Sequence, residues 1–273
     1  MQQPAHAPFR PRMSVSRMFF LLTVLLAYLF LAAPLIIIFL MSFNANQYLS
    51  WPPESFTLDW YRALPQQTQF IDGLQTTLIT ASASTFFVLI CGVPAALALN
   101  RYEFRGKELL STFFISPLLV PTIVLAVGLV LVLGPLGLTN TYASIVIGHF
   151  AITFPYVIRT TLMSLLTSDT SCEEAAQVLG ADRFTVFRRV TLPIIAPGVI
   201  AGGVIAFIVS FDEAVISLFV AESGRPTLPV HVLRYVEQSA DAAVAALSVI
   251  LILFSLVIVV IVERLMGLRN VLR

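Results

Sequence analysis

Long apolar stretches without charge place the strongest constraint on the fold of this chain. Residues 18–41 contain no charged side chain, and neither do residues 242–262. A helix needs about 20 mostly apolar residues to cross a bilayer. The whole chain is 58% hydrophobic and 11% charged, whereas an ordinary soluble domain is about 25% charged. These values exclude a soluble enzyme and a disordered protein, and they indicate an all-α integral membrane protein.

Six stretches have the length and composition of transmembrane helices. We predict helices over residues 18–41, 73–99, 109–133, 142–166, 193–211 and 242–262, joined in a single transmembrane domain over residues 1–273. The first stretch is longer than the apolar region of about 7–15 residues in a cleaved signal peptide, so we expect a retained anchor. Residues 214–221 are apolar but too few to span, and we expect them to extend the fifth helix or to lie at the membrane interface.

The distribution of Lys and Arg predicts the orientation, because these residues concentrate on the cytoplasmic side of a membrane protein. With both termini inside, the cytoplasmic segments carry twelve of the sixteen Lys and Arg residues. The outer loops carry only Arg62, Arg225 and Arg234, and Arg159 lies within the fourth span. We therefore predict six helices with both termini in the cytoplasm. We expect Arg159 to reach the cytoplasmic interface or to form an internal ion pair.

The predicted cytoplasmic loop at 167–192 is long and has strong local signals. Ser171 and Glu174 have the spacing of a capping box, which predicts a short helix with Ser171 as its N-cap. Gly180 predicts the end of this helix, because glycine is favoured just after a helix C-terminus. Asp182 is a candidate N-cap for a second short helix. Pro193 suits the first turn of the fifth membrane helix.

The same loop matches a spaced pattern. It reads Glu-Ala-Ala at 174–176, then after three residues Gly180, then after nine residues Val-Thr-Leu-Pro at 190–193. This segment resembles the EAA loop, E-A-A-x3-G-x9-I-x-L-P, of permease subunits in binding-protein-dependent ABC importers. The one departure is Val190 in place of isoleucine, a conservative change. The resemblance implies a type I ABC importer permease fold.

The family resemblance also implies a task for the loop. In such importers the short helix docks into a cleft on a cytosolic ATPase subunit. Small side chains permit close approach, apolar ones are buried in the contact, the glutamate offers a carboxylate, and the glycine turns the chain back. The residues implied in ATPase coupling are Glu174, Ala175, Ala176, Val178, Leu179 and Gly180. The alternative is that Glu174 and Gly180 only cap their own helix.

The chain has no ATP-binding motif of its own. A P-loop requires G-x-x-x-x-G-K-[ST], and the only Gly-Lys pair, Gly106-Lys107, is followed by Glu108. We therefore expect no cofactor on this chain. The resemblance implies ATP and Mg on two separate ATPase subunits, with a second homologous permease and a soluble binding protein as further partners. The His residues are isolated, which argues against a metal site, and a net charge of +1 gives no basic field for nucleic acid.

Polar residues near the outer end of the fifth helix are candidates for a substrate path. Ser210, Asp212 and Glu213 are singled out because a cationic cargo needs carboxylates to replace its lost hydration. The alternative is that the two carboxylates only mark where the helix enters water. The glycines at 198–203 indicate close helix packing, either within the chain or against a partner permease. We expect His149 to be a hydrogen-bonded packing residue.

Within the importers, the chain looks most like the second permease of the spermidine/putrescine type. The segments that carry this likeness are residues 41–44, 56–61 and 210–213. It implies a polyamine cargo and a place in the bacterial inner membrane; an opine, aminobutyrate, an aminophosphonate and ferric iron are the alternative cargoes. A stand-alone secondary transporter and a membrane enzyme are disfavoured, since neither inverted repeats nor paired acids within the spans are evident. A heterodimeric and a homodimeric permease core both remain open.

Overall fold

The computed structural model describes residues 15–46, 52–53, 55–221, 224–238 and 241–266. The predicted domain limits at residues 1 and 273 lie outside these ranges. Within them the chain is helical, and its only β pairing is one bridge between Asn44 and Phe56. The α-helices are α1 (Val15–Met41), α2 (Asp59–Ala63), α3 (Thr68–Arg101), α4 (Lys107–Ile115), α5 (Thr122–Leu133), α6 (Tyr142–Leu166), α7 (Ser171–Val178), α8 (Arg183–Val186), α9 (Leu192–Asp212), α10 (Val215–Val220), α11 (Leu228–Gln238) and α12 (Ala242–Met266).

Five helical segments of the described chain are long and apolar enough to cross a membrane. They are α1, α3, α6, α12 and the continuous helical stretch Arg183–Asp212 that contains α8 and α9. The pair α4 and α5 supplies a sixth span when it is counted as one. The predicted all-helical membrane fold is therefore confirmed. The cytoplasmic location of both termini stays a prediction.

The third span, predicted over 109–133 with interruptions at Pro117 and Pro121, is sharply bent. A 3₁₀ turn at Ser116–Leu118 follows α4, and the chain bends by 105° before α5 begins. Pro117 and Pro121 explain the break, because proline has no N–H for the helical ladder and restricts the residue before it. The sequence contained both prolines, but their number and position do not predict the size of the bend.

The fifth span begins inside the loop at 167–192, which was predicted to be cytoplasmic. A π-helical turn at Phe187–Thr191 joins α8 to α9, so the helical backbone is continuous from Arg183. Pro193 lies two residues after this turn and cannot donate the usual backbone hydrogen bond. In a π-turn each N–H bonds to the carbonyl five residues earlier, so the turn changes which backbone carbonyls receive no hydrogen bond. Such turns occur as insertions within α-helices. The loop is thus attached to the membrane helix without a flexible joint.

The described chain divides into two compact units, of which the first is Met1–Tyr61 with Asp241–Val249. In this unit the segments at 41–44 and 56–61 fold together after α1. The Trp60 indole donates to the Asn44 carbonyl at 2.7 Å, and the Tyr61 hydroxyl donates to Ser42 Oγ at 2.7 Å. The side chains of Ser42 and Asn44 are fully buried. Two segments that carry the family likeness therefore have a structural use in closing the turn after the first span.

The second unit is Arg62–Ala240 with Ile250–Arg273, and its core is a packed set of three helices. Val88 of α3, Val157 and Ile158 of α6, and Ile195 and Ala206 of α9 are all buried in one cluster. In a water-soluble protein, burial of an aliphatic side chain of this size stabilises the folded state by roughly 1.5–3 kcal/mol. In lipid, the stabilisation comes from close packing between the helices. Both ends of the loop at 167–192 are attached to helices of this three-helix core.

Glycines allow α6 and α9 to approach closely. A Cβ on Gly202 would clash with Thr160 Oγ1 and would lie 3.0 Å from the Val157 Cα. A Cβ on Gly198 would lie 2.5 Å from the Ser164 Cβ. Of the two alternatives for the glycine run, packing within the chain is therefore confirmed for these two positions.

The apolar segment at 214–221 forms a separate helix, α10. The backbone leaves the helical region at Glu213, where ψ is 112°, and the Glu213 carboxylate accepts the Ile216 N–H at 3.0 Å. Ile216 and Val220 are fully buried and cluster with residues of α5 and α6. The alternative of a helix extension was wrong, because the backbone turns at Glu213 and a new helix begins that packs inside the unit; a location at the membrane interface stays a prediction.

Because α6 and α9 approach closely at Gly202, we predict that a methyl group added there destabilises the protein, whereas a methyl group added at an exposed glycine does not. Gly202→Ala should lower the thermal midpoint of the purified complex, because overpacking costs about 1–3 kcal/mol. Gly128→Ala is the control, since a Cβ on this exposed helical glycine meets nothing within 4 Å. Alanine there should leave the midpoint unchanged or raise it, because alanine is a better helix former. Equal midpoints for both variants would contradict the tight helix crossing.

Candidate coupling loop and substrate path

The first turn of α7 is capped differently from the capping box predicted by sequence. The N-cap is Thr170, and Ser171 is the first residue of the helix. Asp169 Oδ1 accepts the Ser171 N–H at 2.9 Å, which draws Ser171 into the turn. The Thr170 hydroxyl donates to Glu174 Oε1 at 3.4 Å. The predicted N-cap was therefore wrong by one residue, while Glu174 does lie in the first turn, where the helix dipole favours a carboxylate.

The end of α7 is a complete glycine-stopped turn. Gly180 has φ of +89°, a value that disfavours any side chain. The Gly180 N–H donates to the Gln177 carbonyl at 2.9 Å, and the Ala181 N–H donates to the Ala176 carbonyl at 3.1 Å. These two bonds are those of the Schellman motif. The prediction that Gly180 ends the helix is confirmed.

The turn at Gly180 presents two apolar side chains to solvent. Val178 is 87% exposed and Leu179 is 88% exposed, and Ala175 is exposed on the same short helix. Neither Val178 nor Leu179 has any packing use within this chain at such exposure. Apolar side chains grouped at the tip of a polar loop are typical of a contact with another protein. The loop therefore has the shape and surface that docking into a partner requires.

Two carboxylates stabilise the ends of the loop helices. The Thr185 hydroxyl donates to Asp182 Oδ1 at 2.5 Å and lowers the pKa of Asp182, while the Phe184 N–H donates to Oδ2 at 3.1 Å. The Ser171 N–H likewise lowers the pKa of Asp169. The predicted Asp182 cap is confirmed. Because both pKa values are lowered, the caps contribute above the ordinary carboxyl pKa and are lost only as the pH falls through the lowered values.

An ion pair between the loop and α3 has no counterpart in the sequence analysis. Arg101, the last residue of α3, donates from Nη2 to Glu173 Oε1 at 2.6 Å. The two side chains are 26% and 14% exposed. They lie 72 residues apart in sequence, so no local pattern joins them. The only available signal was that both residues fall in cytoplasmic segments of the predicted topology.

The structure places Ser210 inside the core and away from any open surface. The Ser210 hydroxyl lies 2.7 Å from His149 Nδ1, and His149 Nε2 lies 3.0 Å from the Ser217 hydroxyl. All three side chains are buried. The prediction that His149 is a hydrogen-bonded packing residue is confirmed, and its two bonds link α6 to α9 and α10.

Asp212 and Glu213 have separate environments. The Glu213 side chain is occupied in capping α10, as described above. Asp212 is exposed and lines a cavity of about 310 Å3 together with Phe207, Phe211 and Ser255. The Phe207 and Phe211 rings in the wall of this cavity stack on each other at 6.0 Å. Of the three candidate path residues, only Asp212 faces an open cavity.

Arg159 is exposed along a shallow groove between α6 and α9. The groove measures about 550 Å3 and includes Met163, Pro197 and Gly198. The alternatives of an ion pair and of contact with the interface are not separated by this exposure, so the role of Arg159 stays a prediction.

The family model and the relatives with similar sequences agree on one protein family. The family model described as "Binding-protein-dependent transport system inner membrane component" matches residues 88–268. The spermidine/putrescine transport system permease protein PotC of Escherichia coli (strain K12) is 34% identical over 240 residues, which cover 88% of this chain and 89% of PotC. The putrescine transport system permease protein PotI of the same strain is 29% identical, over 84% of each chain.

Solved structures show the same fold at low identity. A bacterial ABC transporter involved in the import of the acidic polysaccharide alginate matches with a TM-score of 0.70 and 19% identity, covering 93% of this chain and 99% of that one. The MetNI methionine ABC transporter matches with a TM-score of 0.61 and 21% identity, covering 74% of this chain and 97% of that one. With the family match, these likenesses mean that the chain is a multi-pass membrane transport component and a member of the inner-membrane permease family of binding-protein-dependent ABC importers.

Proposed function

We propose that this permease carries a polyamine, spermidine or putrescine, delivered by a soluble binding protein. The observation that carries the proposal is the 34% identity to PotC across 88% of the chain. The position of Asp212 supports it, because this exposed carboxylate lines a cavity whose other lining residues are mostly apolar. A carboxylate at such a cavity suits an organic cation, because it replaces part of the hydration that the cation loses.

The proposal includes the rest of the importer. We infer two ATPase subunits that bind ATP and Mg, a second homologous permease and a periplasmic binding protein, with no cofactor on this chain. The solved alginate transporter has been seen in complex with a pentasaccharide-bound periplasmic protein, which supports a binding-protein partner. The second-permease likeness favours a heterodimeric permease core.

The EAA loop is the proposed docking element for an ATPase subunit. Leu179 and Val178 supply the apolar contact, and Ala175 leaves room for close approach. Glu174 offers its carboxylate from the first turn of α7, where it is exposed. Gly180 holds the reversal that keeps the tip projecting. Closure of the ATPase subunits on ATP would then displace α7 and move the membrane helices between two states.

A second cargo class has specific support. The putative 2-aminoethylphosphonate transport system permease protein PhnV of Salmonella paratyphi A is 27% identical, over 86% of this chain and 89% of PhnV. An aminophosphonate carries a cationic amine and an anionic phosphonate, so a lone carboxylate suits only one end of it. The other cargoes considered, an opine, aminobutyrate and ferric iron, have no comparable support among these relatives.

Uptake measurements test the cargo. Deleting the gene should abolish uptake of labelled putrescine or spermidine in a strain without a parallel polyamine importer, and the gene should restore it. Unlabelled opine, aminobutyrate and 2-aminoethylphosphonate should not compete. Unchanged polyamine uptake, or full competition by 2-aminoethylphosphonate, would contradict a polyamine cargo.

Neutralising one carboxylate tests the cavity. Asp212→Asn should reduce polyamine uptake by about 30-fold or more, because losing a charge partner of a desolvated cation typically costs 2 kcal/mol or more. Asp72→Asn is the control, since Asp72 is also an exposed carboxylate on the predicted outer side. Both variants should keep the ATPase subunits during purification. Equal uptake by the two variants would return Asp212 to the simpler role of a helix end.

A charge placed at the loop tip tests docking. Leu179→Asp should weaken binding to the ATPase subunits by about 30-fold or more, because a central apolar contact is typically worth at least 2 kcal/mol. The control is Leu136→Asp, since Leu136 is also exposed, at 65%, but lies in the predicted outer turn. Co-purification of the ATPase in stringent washes is the measurement. Retention of the ATPase by the Leu179 variant would rule out this tip as the docking element.

A further inference from the structure

The loop at 167–192, called the coupling loop below, is joined directly by the backbone to two of the three core helices. Its start follows α6 directly, and its end continues through α8 and the π-turn into α9. The third core helix, α3, precedes the loop by about 70 residues and has no chain connection to it. A displacement of α7 therefore reaches α6 and α9 through the backbone, and it reaches α3 either through the packing of α3 against these two helices or through a direct side-chain link.

The Arg101–Glu173 ion pair is that link. Among the described side chains, it is the one hydrogen bond or ion pair that joins α7 to a membrane-spanning helix. Glu173 lies on the half-buried side of α7, opposite the exposed Val178. Arg101 lies in the last turn of α3, where the helix dipole favours a cation. Because both side chains are largely shielded from solvent, salt screens this pair less than an exposed one.

The pair crosses an open cleft. A space of about 420 Å3 lies between the end of α3 and the loop, lined by Tyr102, Gln177 and Phe187 as well as by the two charged residues. Open space at this boundary means that few packed side chains can push α3 when α7 moves. The ion pair is a direct connection across that space, at 2.6 Å.

We propose that the Arg101–Glu173 pair is a strut that fixes the coupling helix α7 to the end of α3, so that α7 and the packed three-helix core are displaced as one body. The inference rests on the proposed docking of the loop to an ATPase. Glu173 and Arg101 are positioning residues: they transmit displacement and touch neither ATP nor cargo. Without the pair, α7 is joined to the core only through the backbone at its two ends, so it moves relative to α3 and part of its displacement is not transmitted.

The native cysteines provide a direct readout. Cys91 in α3 and Cys172 in α7 are both exposed, and they are the only cysteines in the sequence. Spin labels on them, in a complex whose other subunits lack cysteine, report the distance between α3 and α7. In the unaltered complex this distance should be the same in nucleotide-free and vanadate-trapped states. In Glu173→Gln it should differ between the two states.

Transport measurements complete the test. Glu173→Gln and Arg101→Gln should each lower spermidine uptake per ATP hydrolysed by at least about fivefold, within the range of coupling energies between contacting residues. The exchanged pair, Arg101→Glu with Glu173→Arg, should recover part of the loss; recovery is incomplete because the helix dipoles then oppose both charges. ATPase co-purification should be retained in every variant.

A second ion pair is the matched control. Lys107 and Glu103 also pair at 2.6 Å in a cytoplasmic segment, but within one turn of chain and with Glu103 88% exposed. Glu103→Gln should therefore change neither the label distance nor the coupling ratio.

Two results would overturn the strut. One is a state-independent label distance with full coupling in Glu173→Gln. The other is loss of ATPase co-purification in that variant, which would mean that the pair only shapes the loop. If the exchanged pair does not fold, Glu173→Gln alone decides. Failure of the unaltered complex to retain an ATPase would overturn the proposed docking and the strut together, and is thereby distinguished from failure of the strut alone.

Discussion

The crossing of α6 and α9 is the contact on which the rest of the second unit depends. Gly198 and Gly202 let the two backbones approach without a side chain between them. Helices in lipid gain little from the hydrophobic effect, so close van der Waals contact is what holds them together. The coupling loop joins the inner ends of these same two helices. Its position is therefore fixed by a crossing made within the membrane.

Individual residues that end or break the helices divide the chain into separate functional segments. Gly180 ends α7 with a positive φ and leaves an apolar tip in solvent. Glu213 ends α9 and caps α10 with its own carboxylate, which leaves Asp212 as the carboxylate at the cavity. Pro117 and Pro121 break the third span and let α5 lie against α10. Each break is caused by a residue that cannot continue the hydrogen-bond ladder or that offers it another partner.

Features that depend on neighbouring residues in the sequence could be predicted. Contacts between residues that are far apart in the sequence could not. Hydrophobic length gave the spans, and the Gly180 turn and the Asp182 cap followed from local spacing. The bend of the third span and the burial of α10 depend on tertiary packing that no window of sequence contains. The pairing of Arg101 with Glu173 also joins distant segments. The same holds for the candidate path, where the hydroxyl of Ser210 is bonded to a histidine on another helix.

The helix that contains α9 connects the two sites physically. Arg183–Asp212 is a continuous helical stretch of 30 residues, which corresponds to about 45 Å at the rise of an α-helix. Its N-terminal end is part of the loop at 167–192, and its C-terminal end carries Asp212 at the cavity. A helix held along its length by packing against α3 and α6 tilts as a rod. On the proposed docking, a displacement of α7 would reach the cavity at the other end through this rod, and the Arg101–Glu173 pair joins α7 to the same packed core.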